Sequence, residues 1–286
     1  MEDKIKVILN KLQCHSHISS IDRHFALLMA ENSKHCTPQT AAAFALVSQA
    51  RSRGDIALDI AIPPRTLYEA DGEGDDKAAK IIIKLPEADK LGPMLFKTGL
   101  AGKPGDQLPV ILENNKLYLY RFWAYEKNLA DMINQRVGES PQDIDITAVR
   151  ARLLKLFGKG GNSENAMNMA AAVSAITRRF TVISGGPGTG KTYTVARILD
   201  LFLNVRKMQA DKIALCAPTG KAAARLKDSI KNALEQDEIL KQNQGGMPME
   251  AFTIHRLLKT IPNSNKFRHN AENPLPYELV VVDEAS

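Results

Sequence analysis

The chain has 286 residues, 44% hydrophobic and 24% charged, enough to bury a full core and a length that suggests about two domains. No apolar run approaches the roughly 20 residues that cross a bilayer, and Met1-Glu2-Asp3-Lys4-Ile5-Lys6 has no signal-peptide core. A membrane protein is thereby excluded and a cytoplasmic location expected. The three cysteines, Cys14, Cys36 and Cys216, are odd in number and lack C-x-x-C spacing, so they read as reduced buried thiols rather than disulfides or metal ligands. Net charge is +6, unevenly spread: residues 1–150 carry 19 basic against 20 acidic side chains, residues 151–286 carry 19 against 12. That excess suits a polyanionic partner such as nucleic acid, although charge alone also fits a scattered solvated surface.

The first half reads as mainly helical. Ser20 is placed to cap a helix over Ile21–Glu31, and Thr37-Pro38 starts a second that runs through Ala41–Val47 until Gly54 ends it. The acidic stretch 71–76 reads as a solvated loop, because no later glutamate completes a calcium-loop spacing. Val110–Leu112 and Leu117–Tyr120 flank Glu113-Asn114-Asn115-Lys116, a hairpin pattern. A helix over Arg121–Val137 should follow, with Phe122, Trp123 and Tyr125 near its start read as interior packing; exposed beside Arg121, an aromatic there would instead stack on bases. The glycines in 158–161 break the helix ending at Phe157, dividing a domain at 1–157 from one at 158–286. An alanine-rich helix over Asn165–Arg179 leads into the second.

Gly185-Gly186-Pro187-Gly188-Thr189-Gly190-Lys191-Thr192 matches G-x-x-x-x-G-K-[ST]. It sits between an apolar run, Phe180–Ser184, expected as a strand, and a helical pattern over Tyr193–Leu203. Glycines let successive amides face one anion, and the helix start adds unpaired N–H groups. Lys191 should reach the β and γ phosphates of ATP, and Thr192 should offer its hydroxyl to Mg²⁺. A plain turn between strand and helix would need neither side chain.

A second strand-loop-helix unit runs from Lys212–Ala217 through Pro218-Thr219-Gly220 into Lys221–Leu226, and a third segment ends in Leu279-Val280-Val281-Val282-Asp283-Glu284. The uncharged run before Asp283 reads as a strand buried on both faces. Asp283 would then hold Mg²⁺ through water, and Glu284 would orient and deprotonate the attacking water. Taken alone, Lys221 and Arg225 read as an ordinary basic helix face, and His255 in Thr253-Ile254-His255-Arg256-Leu257 as a capping or packing residue. The fold class is α/β, a mainly helical domain followed by a lobe with a parallel sheet.

The ordered series GGPGTGKT, APTGKAAARL, TIHRLL and VVVDEAS resembles motifs I, Ia, Ib and II of the RecD group of superfamily 1 DNA helicases. Leu117-Tyr118-Leu119 with Arg121, Trp123 and Glu126 resembles that group's N-terminal domain. The resemblance implies that the second domain is an incomplete RecA-like P-loop NTPase lobe, and that the chain is a 5′ to 3′ helicase subunit of the exodeoxyribonuclease V complex, with RecB and RecC as partners and single-stranded DNA and DNA ends as substrates in double-strand-break repair and recombination. It also implies that Lys191, Asp283 and Glu284 are catalytic, and that Pro218, Thr219, Lys221, Arg225, Thr253 and His255 line the DNA path. Where the group places a glutamine that reads adenine, this chain has Asn168. Motifs III to VI, with their arginine fingers, do not follow Ser286, so the chain alone is expected to unwind little DNA. Two other readings stay open: a catalytically silent module that binds partner subunits, and a P-loop ATPase that does not use DNA.

Overall fold

The computed structural model describes residues 2–62, 66–68, 80–139, 141, 144–158, 163–186, 189–242, 246–264 and 266–285. The chain divides into two compact units, Met1–Asp131 and Met132–Ser286. The acidic stretch 71–76 lies outside the described residues.

In the first unit α1 (Glu2–Cys14), α2 (Ser20–Glu31) and α3 (Pro38–Ser52) pack together. Ser19, not Ser20, caps α2. Its backbone N–H and hydroxyl donate to Asp22 Oδ2 at 2.9 and 2.7 Å, while Asp22 N–H returns to Ser19 Oγ, the reciprocal arrangement of a capping box. Ser48 on α3 donates to the other oxygen of Asp22 at 2.6 Å, so this fully buried carboxylate is hydrogen-bonded on both sides. Helix α3 begins at Pro38 with Thr37 as its cap and stops before Gly54, which takes φ +95°. Ala41, Ala42, Ala43, Phe44 and Ala45 are all fully buried. The side chains there are small enough for neighbours to cover the helix all round.

The chain continues through β1 (Ala57–Asp59), β2 (Thr66–Tyr68), β3 (Ile81–Lys84), α4 (Ala88–Lys97), β4 (Ala101–Gly102), β5 (Val110–Glu113) and β6 (Lys116–Leu119). Strands β1-β6-β5-β4 form one sheet and β2-β3 a separate antiparallel pair. The expected hairpin is β5–β6, turning through Asn114 and Asn115 at φ +49° and +63°. Two consecutive left-handed residues suit the twist of a two-residue hairpin loop, and asparagine tolerates that region.

Helix α5 (Tyr120–Gly138) has no buried residue, contrary to the expected interior packing of its aromatics. Trp123 is half-buried and donates Nε1–H to Glu113 Oε2 at 2.8 Å. Phe122 lies beneath the Arg51 guanidinium at 4.7 Å, and Tyr125 is 54% exposed with Arg121 over its ring. The cause is spacing: aromatics at 120, 122, 123 and 125 spread around the helix instead of forming one stripe.

The change of unit falls within α5. The second unit holds α6 (Ile146–Phe157), α7 (Ser163–Thr177), α8 (Lys191–Asn204), β7 (Ile213–Ala217), α9 (Gly220–Gln236), α10 (Glu238–Lys241), β8 (Ala251–Thr253), α11 (Ile254–Leu258) and β9 (Leu279–Val282). Val149, Leu153, Leu156 and Phe157 of α6 lie in the same core as Leu199 and Leu201 of α8 and Leu226 and Ile230 of α9. Arg152 of α6 fixes this packing, donating Nε–H and Nη2–H to the two oxygens of fully buried Asp200 on α8 at 2.6 and 2.7 Å.

The sheet is parallel, in the order β8-β7-β9. Every residue of central β7 is buried. Two expectations fail around it. Phe180–Ser184 forms no strand and pairs with none among the described residues, and Val182 is 75% exposed. Strand β9 is not buried on both faces: among the described residues it pairs only with β7, and Val280 and Val282 are 39% and 44% exposed. An apolar β-branched run favours strand, but a ladder needs a partner, and the described sheet ends at β9. Cys36 and Cys216 are buried, and burial pushes both thiols above their ordinary range; Cys14 is exposed, against expectation.

Candidate nucleotide and nucleic-acid site

The glycine-rich loop reaches α8 through Gly190, whose φ of +68° is left-handed and costs a residue without Cβ little. At Gly185 space sets the requirement, because a Cβ there would stand 2.8 Å from Thr189 Oγ1. Thr189 Oγ1 in turn donates to Gly186 O at 2.9 Å. Pro187 and Gly188 lie outside the described residues. Lys191 opens the helix, and its ammonium folds back on the loop, donating to Gly185 O at 2.5 Å and Gly186 O at 2.8 Å. Thr192 follows in the first turn, which contains no acidic residue. Thr189, Gly190, Lys191, Thr192 and Tyr193 line one cleft of about 320 Å³.

The other expected residues gather at a second place, the carboxyl edge of the parallel sheet. Ala217, the last residue of β7, is in register with Thr253 at the end of β8, and Cys216 with Val282 of β9. Beyond Ala217, Pro218 is exposed and Thr219 caps α9, its hydroxyl accepting from Ala222 N–H at 3.2 Å. Lys221 and Arg225 project from α9 as exposed cations with no ion-pair partner among the described residues. Thr253 caps α11 by accepting from Arg256 N–H at 3.2 Å. His255 is exposed and meets the Phe267 ring edge-on at 5.8 Å. Asp283 is half-buried and its N–H donates to Cys216 O at 2.9 Å. Glu284 is exposed at φ +51°, a left-handed conformation that costs a non-glycine residue about 1–3 kcal/mol and clusters at functional sites.

Thus parallel pairing brings Thr219, Thr253 and Asp283 to one edge. Asp283, Glu284 and Asn168 are not among the described residues that line the Lys191 cleft, and Asn168 sits half-buried on α7. Among the described residues no group of three or more His, Cys, Asp or Glu side chains could hold a metal, and no helix is long and apolar enough to cross a membrane.

A network behind the loop carried no motif to announce it. Asp237 caps α10 through Oδ1, accepting from Ile239 and Leu240 N–H at 2.9 and 3.3 Å; its Oδ2 accepts from Tyr193 Oη at 2.6 Å and Arg197 Nη2 at 3.2 Å. The traces in the sequence were an i, i+4 Tyr193/Arg197 pair and an aspartate before Glu238-Ile239-Leu240. Burial alone would raise the Asp237 carboxyl, but hydrogen bonds from Tyr193, the two amides and Arg197 outweigh it and hold the group below its ordinary value. A depressed carboxylate contributes stability that is present above its unfolded pKa, about 3.9, and lost as pH falls through the folded value. Urea titrations from pH 6 downward should show this loss for the wild type and a smaller one for Asp237→Asn; parallel pH profiles would contradict it.

A glycine loop with a lysine at the head of a helix, followed by a parallel strand ending in Asp-Glu, defines a P-loop nucleotide-binding domain. Residues 168–286 match the AAA domain family, and residues 15–118 match the N-terminal domain of RecBCD enzyme subunit RecD. RecBCD enzyme subunit RecD of Mycolicibacterium smegmatis is 33% identical over 81% of this chain and 41% of its own length, and that of Haemophilus influenzae 33% over 71% and 32%. The ATP-dependent RecD2 DNA helicase of Deinococcus radiodurans is 33% identical over 60% of this chain and 20% of its own length. The chain belongs to the RecD family. It spans less than half the length of each of these relatives.

Proposed function

We propose that this chain supplies the partner-docking and nucleotide-binding parts of an ATP-dependent 5′ to 3′ DNA helicase subunit. Its complex would be of the exodeoxyribonuclease V type, containing RecB and RecC, acting on DNA ends in double-strand-break repair and recombination in the cytoplasm. The observation that carries the reading is the loop around Lys191: a glycine at 185 whose Cβ would meet the Thr189 hydroxyl, a lysine at the head of α8 and a first turn free of carboxylates.

In this reading the loop amides and the start of α8 bind the phosphates. Lys191 exchanges the Gly185 and Gly186 carbonyls for phosphate oxygens, so its resting contacts hold it near its working position. The Thr192 hydroxyl and the Asp283 carboxylate are hard oxygen donors of the kind Mg²⁺ takes together with substrate phosphates and water. Mg²⁺, when bound, neutralises charge on the transferring phosphoryl group. Glu284 accepts a proton from the attacking water, and Asn168 reads the base. The sheet-edge groups Pro218, Thr219, Lys221, Arg225, Thr253 and His255 hold the phosphates of a single strand. Docking on RecB or RecC is assigned to the first unit, where Tyr125 and Leu129 of α5 stand 54% and 59% exposed.

The test is binding of a labelled single-stranded oligonucleotide, followed by anisotropy across a salt series. Log affinity should fall linearly with log salt, and replacing Lys221 and Arg225 together by alanine should flatten the slope by about 1.4, at about 0.7 per phosphate contact. A slope unchanged by the double substitution would remove these residues from the DNA path.

A further inference from the structure

The first turn of α8 is held by buried contacts that nucleotide binding does not itself require. Tyr193, two residues after Lys191, lines the phosphate-loop cleft and donates its hydroxyl to Asp237. Arg197, one turn on, reaches the same Asp237 oxygen and the Tyr193 hydroxyl, both at 3.2 Å. Its guanidinium lies 4.7 Å from the Phe157 ring centroid and 4.4 Å from that of Tyr193. The side chains of Arg197 and Asp237 are only 14% and 7% exposed. The network therefore joins α8 to Phe157 at the end of α6 and to the cap of α10.

Burial of Ala196, Leu199 and Leu201 favours packing α8 but is non-directional, and a small roll of the helix would change the buried area little. Hydrogen bonds are directional. A tyrosine hydroxyl and a guanidinium meeting one carboxylate oxygen fix the roll of the turn that carries them, and Lys191 and Thr192 belong to that turn. We propose that Asp237 and Arg197 are positioning residues for the phosphate-binding site, acting through Tyr193 to set the directions in which the Lys191 and Thr192 side chains leave the helix. This rests on reading residues 185–192 as a nucleotide site.

Tyr193→Phe separates positioning from simple adhesion, because it keeps the ring beside Arg197, the Asp237–Arg197 pair and the cap of α10. Asp237→Asn is a second variant: asparagine still caps a helix and still accepts from Tyr193, but loses the charge facing Arg197. Lys231→Ala, which removes an exposed pair with Glu235, is the control. Each full chain is melted, titrated with Mg-ATP by calorimetry, and examined by ³¹P resonance of bound ADP. Tyr193→Phe should melt within about 4 °C of the wild type, the shift expected for roughly one lost hydrogen bond. Its Kd for Mg-ATP should nevertheless rise on the order of tenfold, the lower end of the effect seen when partners that orient metal ligands are removed, and the bound β-phosphate resonance should move. Asp237→Asn should change both in the same direction and Lys231→Ala neither. Wild-type affinity and an unmoved resonance in both network variants would overturn the proposal, leaving the network a structural tie alone. Equal affinity of wild type and Lys191→Ala, or no binding by either, would sink the nucleotide reading itself, and the inference with it.

Discussion

Arg152→Ala is expected to destabilise the second unit by about 3–5 kcal/mol, the range for breaking a buried ion pair from one side. Arg152 satisfies both oxygens of Asp200, a carboxylate with no solvent exposure, in a bidentate pair of short hydrogen bonds. Without the guanidinium, Asn204 Nδ2 at 3.0 Å still donates to Asp200, but an amide does not offset a full buried charge. The double substitution Arg152→Leu with Asp200→Leu should recover most of the loss, since an apolar pair of similar size carries no desolvation penalty. Urea denaturation of the three proteins tests both statements. A single variant within 1 kcal/mol of wild type, or a double variant as unstable as the single, would show that α6 is held to α8 by its apolar face alone.

The largest functional effect is expected at Lys191. Its replacement by alanine should weaken Mg-ATP binding on the order of 100-fold, because hydrogen bonds between charged groups contribute about 1.5–3 kcal/mol each and a phosphate-binding lysine makes more than one. Stability should change little. The ammonium's present partners are two loop carbonyls that are themselves exposed, so water replaces it there. Calorimetry on the two proteins decides the matter: equal Kd values would mean that the loop does not bind the triphosphate through this residue.

What the sequence made legible was local. The helix start at Thr37-Pro38, the hairpin around Glu113–Lys116 and the start of α8 after the glycine-rich run are specified by residues a few positions apart, and each forms where its pattern placed it. The α2 start was displaced by one residue because two adjacent serines offered caps, and only the return bond from Asp22, itself fixed by Ser48 from α3, distinguishes Ser19. Failures came where the outcome depends on distant partners. Phe180–Ser184 has strand composition but no ladder among the described residues, Leu279–Val282 reads as a strand buried on both faces yet leaves Val280 and Val282 exposed, and of the α5 aromatics that read as core Phe122 and Trp123 are only half-buried and Tyr125 is exposed. The same limit applies to the site. The glycine loop and the acidic pair were visible as motifs, whereas the tie from Tyr193 and Arg197 to Asp237 spans about forty residues of chain and left only a capping aspartate as its trace.

The open side of β9 bears on how the protein should be handled. Four consecutive apolar residues on a strand whose side away from β7 has no partner among the described residues, with two valines well exposed, form a template on which another copy could add a strand. Proteins guard such segments with charges at their ends, and here the guards are Glu278 on one side and Asp283 with Glu284 on the other. Besides the chemistry proposed for it, the acidic pair is placed to keep such edges apart. Amide substitutions at 283 and 284, the usual means of arresting ATP hydrolysis, would strip the strand of half its protection and favour aggregation, so a loss of turnover in such variants is interpretable only in material shown to be monodisperse.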